Sequence, residues 1–287
     1  MNKLVEINNS FESYQGLIQL YEKYKDELFG NIHLEICQFF AANMSAALGA
    51  ILDKFTANLN SIHFDYLRPD IESILSKNDF LTYFGKQRTD NADNTTIKFK
   101  KLKPTDGKFF KTYIMKELIE EHTCDLPQMS EGVKEKIVEA ICEIFVNAQI
   151  HSETEFIYTC GQFYPQNNKI EFTIVDTGVG FRENVNKRFQ SNLSATKAIR
   201  WAVNDNNTTK KSISGGLGLT ILREFVSVNK GKMQIISNDG FYQFDSNKEI
   251  LKEFQGEFPG TIVNLQFRTD DKNNYSLKSE IDTNNIF

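Results

Sequence analysis

Apolar positions in the first 88 residues follow two periods, one typical of strands and one typical of helices. Short alternating runs predict strands over Ile32–Ile36 and Ser61–Phe64. Apolar residues three or four apart predict helices near Leu17–Tyr24, over Asn43–Phe55 and over Ile71–Phe84. Strands separated by helices favour a mixed or parallel sheet covered by helices, so residues 1–88 are predicted to form a small α/β unit.

A polar stretch follows this unit, because residues 89–96 contain almost no apolar side chain. Six lysines and one acidic residue then occupy 98–111. A surface for nucleic acid or an acidic partner is one interpretation. The alternation of Ile97 and Phe99 with lysines instead favours a solvated edge strand, since edge strands commonly carry Lys. We therefore predict a linker and an edge strand over 89–112.

A second set of periods over 113–268 predicts a larger domain. Helices are predicted over Ile114–His122, Glu131–His151, Ser194–Val203 and Leu217–Val228. Strands are predicted over Glu155–Cys160, Lys169–Asp176, Met233–Ile236 and Thr261–Phe267, with a turn over Pro165–Asn168. An irregular segment is predicted before the third of these helices. The polar tail over 269–287 is predicted to be loosely held.

Composition and charge exclude several classes of function. The 287 residues carry a formal net charge of −5, so a protein that coats nucleic acid is not expected. The four cysteines lack CxxC or Cys/His spacing, which disfavours a zinc site or disulfide scaffold and fits a reducing compartment. The most apolar stretch, Ile36–Leu52, is too short and too interrupted to span a bilayer, and the N-terminus has no apolar signal region. We expect a cytoplasmic protein that does not enter the membrane.

The first chemical motif lies on the long predicted helix. Glu143, Asn147 and His151 are spaced by four, so they project from one helix face. Glu143 is suited to polarise a water or a hydroxyl group. Asn147 presents an amide oxygen, the kind of ligand that Mg²⁺ prefers. Taken alone, such a face is typical of wet helix surface, and His151 is interpreted as structural.

The second motif follows a predicted strand directly. Asp176 stands at the strand end, and Gly178 and Gly180 come two and four residues later. Glycines let the backbone approach a flat ligand closely beside that carboxylate. The motif is weak on its own, because strand-to-turn junctions often have this composition.

The third motif is a glycine-rich turn that opens a predicted helix. It consists of Ser214-Gly215-Gly216-Leu217-Gly218-Leu219. Bare N–H groups and the helix dipole at such a turn favour an anion. No Gly-Lys-Ser/Thr follows, so the turn is not a Walker loop, and no βαβ unit surrounds it as in dinucleotide-binding folds.

In this order and spacing the three motifs resemble the GHKL, or Bergerat-fold, ATPase family over residues 130–268. That family includes gyrase, heat-shock chaperone ATPases, sensor histidine kinases and mismatch-repair ATPases. The resemblance implies an α+β sandwich in which helices cover a mixed sheet, with ATP bound between the helices under a mobile lid. It implies ATP and Mg²⁺ as the ligands of the domain.

The resemblance also implies a role for each matching residue. Glu143 would be the general base and Asn147 the Mg²⁺ ligand. Asp176 would bind the adenine amino group beside Gly178 and Gly180, supported through water by Thr261 in Pro259-Gly260-Thr261. The residues expected along the phosphates are Gly215, Gly216, Leu217, Gly218 and Leu219. The lid would be 181–214, and Lys210 or Lys211 would close onto the γ-phosphate; a disordered loop with solvated lysines is an equally good interpretation.

The N-terminal unit has a weaker resemblance to STAS-like domains, the fold of anti-sigma-factor antagonists. The order of strand, helix, strand and helix carries it. Ser45 is nearest to the residue that such domains phosphorylate, but its neighbours depart from the usual Asp-Ser pattern. We interpret Ser45 as a packing residue.

Three functions follow from these resemblances. The first is a nucleotide-dependent regulatory or signalling switch with Mg-dependent ATP hydrolysis. The second is a serine/threonine protein kinase of the anti-sigma-factor type, since Asn147-Ala-Gln-Ile-His151 is similar to those kinases. The third is an ATP-sensing adaptor without chemistry. A protein partner, STAS-like or a second copy of this chain, is expected for each.

Overall fold

The computed structural model of the chain describes residues 2–91, 94–204 and 218–281. The N-terminal unit alternates strands with helices. These are β1 (Asn2–Ile7), α1 (Phe11–Tyr24), β2 (Asn31–Phe40), α2 (Ser45–Ala57), β3 (Ser61–Leu67) and α3 (Pro69–Lys77). The strands pair in parallel in the order β1-β2-β3. β1 escaped the sequence analysis because it is short, polar and at the sheet edge.

The helix predicted over Ile71–Phe84 is broken in the structure. α3 ends at Lys77, and Asp79 has a left-handed backbone with φ of 67° before a 3₁₀ turn over Phe80–Phe84. The buried side chain of Asn78 lies at this break and donates a hydrogen bond of 3.0 Å to the Ser45 hydroxyl. Ser45 is fully buried, which agrees with its interpretation as a packing residue.

A five-stranded sheet forms the centre of the molecule. Its strands are β4 (Thr96–Leu102), β6 (Ile157–Tyr164), β7 (Lys169–Asp176), β8 (Lys232–Asp245) and β9 (Lys248–Arg268), in the order β4-β6-β7-β9-β8. Every pair in this sheet is antiparallel. The mixed sheet expected here was therefore wrong in detail: parallel pairing is found in the N-terminal sheet and between two short strands, β5 (Gln128–Met129) and β10 (Asn274–Tyr275). β4 is an edge strand.

Helices cover both faces of this sheet, which confirms the mixed α/β class and the α+β sandwich. One face packs against α4 (Gly107–Tyr113), a π-helical turn (Ile114–Glu120), α5 (Glu131–His151) and α8 (Gly218–Asn229). The other face packs against α1 and α2 of the N-terminal unit. β7 serves both layers, since Phe172 and Ile174 belong to the α5 side and Val175 to the N-terminal side.

Buried polar side chains join the N-terminal unit to the sheet. Asn43 donates to Asn9 at 2.8 Å and to Thr173 of β7 at 2.9 Å. Thr173 in turn donates to Asn264 of β9 at 2.8 Å. Because buried polar groups are costly when unpaired, this network favours one orientation of the unit on the sheet.

The tail beyond Arg268 is more ordered than expected. β10 (Asn274–Tyr275) pairs with β5 (Gln128–Met129), and α9 (Lys278–Ile281) follows. Glu280 accepts hydrogen bonds from the Ser130 hydroxyl at 2.6 Å and from the Gly132 N–H at 3.2 Å. The prediction of a loosely held tail was therefore wrong as far as Ile281, because the Glu280 carboxylate binds donors at the start of α5. Within the described residues, no helix has the length and apolar character needed to cross a membrane.

Candidate functional site

A cleft opens on the α5 face of the large sheet, at one end of its central strands β7 and β9, between α5, α8 and two helices that follow β7. Those helices are α6 (Gly180–Phe189) and α7 (Ala195–Val203). The cleft encloses about 890 Å³ including its open mouth. The side chains and backbone that line it are Glu143, Ile144, Asn147, Ala148, Ser152, Ile174, Asp176, Gly180, Phe181, Asn184, Val185, Trp201, Ala202, Leu219, Thr261 and Val263.

Two residues of α5 project into the cleft one helical turn apart. Glu143 and Asn147 are both half-buried there, while Ile141 and Phe145 hold the rest of the helix in the core. Ser130 begins the helix by accepting a hydrogen bond from the Val133 N–H. The backbone of His151 belongs to the last turn of α5, but its side chain lies outside the described part of the structure.

Asp176 is buried at the end of β7, and only 8% of its surface is exposed. The Gly178 N–H donates to its Oδ1 at 2.9 Å. Burial raises the pKa of Asp176 to about 7, although the Gly178 N–H, the charge of Lys54 and a hydrogen bond from Ser152 act in the opposite direction. A carboxylate with these properties is a typical functional group in a cleft.

The two glycines after Asp176 allow the backbone to turn where no side chain fits. A Cβ atom on Gly178 would overlap the backbone carbonyl of Ser152. That carbonyl accepts a hydrogen bond of 3.0 Å from the Val179 N–H. Gly180 has φ of 77°, a left-handed value that glycine adopts without strain, and a Cβ there would press on Ser237. Gly180 lines the cleft, whereas Gly178 packs against Ser152, which lines it.

Thr261 lies beside Asp176 on the neighbouring strand. The two residues pair directly across β7 and β9. The Thr261 hydroxyl is 3.2 Å from the hydroxyl of Ser237, which accepts a hydrogen bond of 2.9 Å from the Phe181 N–H. Ser237 therefore connects Thr261 with the first turn of α6.

The glycine-rich turn is described from Gly218 onward. Gly218 begins α8, and its N–H donates to Oε2 of Glu143 at 2.8 Å. A Cβ on Gly218 would lie within 3.0 Å of Glu143 and of the Ala140 carbonyl, so the close approach of the two helices requires glycine. Leu219 lines the cleft. Lys210, Gly215, Gly216 and Leu217 lie outside the described residues.

Several cleft residues were missed by the sequence analysis. Phe181, Asn184 and Val185 line the cleft because α6 forms where an irregular segment was predicted, and Ser152 lines it as the residue that follows α5. The spacing of Phe181 and Val185 by four was the available signal, but the helix is polar overall and gives a weak period. Trp201 lies on α7, whose bounds agree with the helix expected in the lid.

These groups form one chemically coherent arrangement. A buried carboxylate and a half-buried carboxylate lie at different places in one largely apolar cleft, with an amide and a helix N-terminus nearby. Among the described residues, no group of three His, Cys, Asp or Glu side chains is placed to hold a metal ion. Searches against protein-family models and curated proteins found no match for the chain.

Proposed function

We propose that the chain is an ATP-binding protein of the GHKL type that acts as a nucleotide-dependent regulatory or signalling switch and hydrolyses ATP with Mg²⁺. The observation that carries the proposal is the cleft itself. It gathers Glu143, Asn147, Asp176, Leu219 and Thr261 from four separate elements. Each of the three sequence motifs was weak alone, and their convergence on one cleft supports reading them together.

The Asp176 end of the cleft suits the base of the nucleotide. An ionised carboxylate accepts a hydrogen bond from an exocyclic amine, and burial strengthens that bond by excluding water. Gly178 and Gly180 let the backbone turn closely beside Asp176, where side chains would overlap neighbouring protein atoms. Ile174 and Val185 supply apolar walls for a flat ring.

The Glu143 end suits the phosphates. The Gly218 N–H stands at the start of α8, where the helix dipole favours an anion. In this structure the Gly218 N–H donates to the Glu143 carboxylate, and a phosphate at this helix start would take the place of that contact. Mg²⁺, when bound through Asn147 and phosphate oxygens, would supply positive charge against the triphosphate. Glu143 would accept the proton of the attacking water.

Titration calorimetry with ATP and Mg²⁺ tests binding. We expect the unmodified chain to bind, and Asp176→Asn to bind at least about tenfold more weakly, because the amide cannot replace a charged acceptor. Absence of any affinity for adenosine nucleotides at millimolar concentration would overturn the proposal.

A phosphate-release assay tests the chemistry. We expect Glu143→Gln to keep binding and to lose at least about a hundredfold in turnover. Glu139→Gln is the matched control, since Glu139 is an exposed carboxylate one turn away on α5 and pairs with Lys136. Turnover of Glu143→Gln equal to that of the control would refute the role of Glu143. Transfer of the labelled γ-phosphate of ATP to a protein would show a protein kinase and would contradict the proposed ATPase activity.

Partner and location belong to the same proposal. The N-terminal unit covers one whole face of the sheet and resembles STAS-like domains, so a regulatory protein partner is the expected reader of the nucleotide state. The spacing of the cysteines favours a reducing compartment such as the cytoplasm.

A further inference from the structure

An arginine helps to tie one wall of the cleft to the β8–β9 hairpin. Residues of α6, including Phe181 and Val185, line the cleft. Arg182 lies between them in sequence, and its Nη2 donates to both carboxylate oxygens of Glu257 at 2.9 and 3.1 Å. Its Nη1 also donates to Asp239 at 3.3 Å. The guanidinium therefore bridges α6 to both arms of the β8–β9 hairpin.

The same hairpin is held by the first helix of the N-terminal unit. The side-chain amide of Gln15 on α1 makes two hydrogen bonds with the backbone of Gln255. Its Nε2 donates to the Gln255 carbonyl at 2.7 Å, and its Oε1 accepts from the Gln255 N–H at 2.9 Å. This reciprocal pair resembles a strand bridge made by a side chain. Phe11 also stacks on Phe254, with ring centroids 4.5 Å apart.

Glu257 of the hairpin contacts both α6 and α1. Its side chain binds Arg182, while its N–H donates to Glu22 of α1 at 3.1 Å. Asp239 and Glu257 are like charges on neighbouring arms, and Arg182 pairs with both. Without the guanidinium, α6 would lose this tie and the two carboxylates would repel each other.

We propose that Arg182 is a positioning residue through which the N-terminal unit sets the affinity of the cleft for its ligand. The path runs from α1 through the hairpin to α6, and then to the cleft wall at Phe181. A shift of α1 moves the hairpin, and Arg182 carries that movement to α6. This inference rests on the proposed nucleotide site, because ATP is the ligand whose affinity is measured.

The first test compares ATP affinity in Arg182→Ala and Arg268→Ala. Arg268 makes a similar pair with Asp270 at the C-terminal end of β9. The single tryptophan of the chain, Trp201, lines the cleft and reports binding by fluorescence. We expect about three- to fivefold weaker binding for Arg182→Ala and no change for the control. Equal affinities in the two variants would overturn the inference.

The second test is a double-mutant cycle with Gln15→Ala, which changes only the α1–hairpin contact. We expect Gln15→Ala to weaken ATP binding about twofold when it is the only change, and to cause no further loss when it is added to Arg182→Ala. Additive losses, or no loss from Gln15→Ala alone, would refute transmission through Arg182. Thermal unfolding of each variant separates this effect from a loss of fold.

The two proposals fail differently. If the unmodified chain binds no nucleotide, the proposed function is wrong and this inference falls with it. If the chain binds ATP and Arg182→Ala binds equally well, the site stands and only the role of Arg182 is wrong.

Discussion

The burial of Asp176 predicts a specific dependence of stability on pH. Burial raises the pKa of Asp176 from 3.8 to about 7. The folded state therefore binds more protons than the unfolded state between about pH 4 and pH 7, and stability falls as pH rises through this window. The full shift corresponds to roughly 4 kcal/mol of unfolding free energy, since one pKa unit is about 1.4 kcal/mol. Asp176→Asn removes this titration while keeping the size of the side chain.

Urea unfolding at pH 6 and pH 8.5, both above the pI of about 5.5, measures the effect. From pH 6 to pH 8.5, the free energy of unfolding of Asp176→Asn should rise by about 1–2 kcal/mol relative to that of the unmodified chain. Asp270→Asn is the control, because a hydrogen bond from Arg268 lowers the pKa of Asp270 and keeps it ionised throughout. A gain for Asp176→Asn no larger than that of the control would refute the description of a buried, destabilised carboxylate. If the expected gain is found, Asp176→Asn is more stable than the unmodified chain at pH 8.5 but defective in ligand binding, a trade-off that is common for functional groups.

Two further substitutions test the packing around the cleft and the N-terminal unit. Gly178→Ala should destabilise the fold by about 1–3 kcal/mol in urea unfolding, because its Cβ would overlap the Ser152 carbonyl. Gly16→Ala, which adds a Cβ in open space on α1, should instead stabilise the fold by up to about 1 kcal/mol. Similar effects of the two changes would contradict this geometry. Ser45→Asp should cost about 3 kcal/mol or more by burying a charge, whereas Ser45→Ala should cost about 1 kcal/mol, so a well-folded Ser45→Asp variant would show that this site is accessible after all.

Strongly periodic segments were predicted with accurate bounds. Glu131–His151 and Lys169–Asp176 agree with α5 and β7 residue for residue, because both bury a continuous apolar face. The predicted Met233–Ile236 and Thr261–Phe267 cover only parts of β8 and β9, which continue through buried residues such as Tyr242 and Phe258. The arms beyond them are stabilised by remote contacts with α1 and α7, which leave no local pattern.

The sequence by itself determined the local elements and the chemical groups on them, because a helix face or a strand end depends only on nearby residues. It thereby identified Glu143, Asn147 and Asp176 before their distances were known. Only the tertiary structure decided that these groups share one cleft, that Asp176 is desolvated, and that Arg182 connects the cleft wall to the N-terminal unit. Desolvation and ion pairing depend on atoms that are distant in sequence, so no local period encodes them.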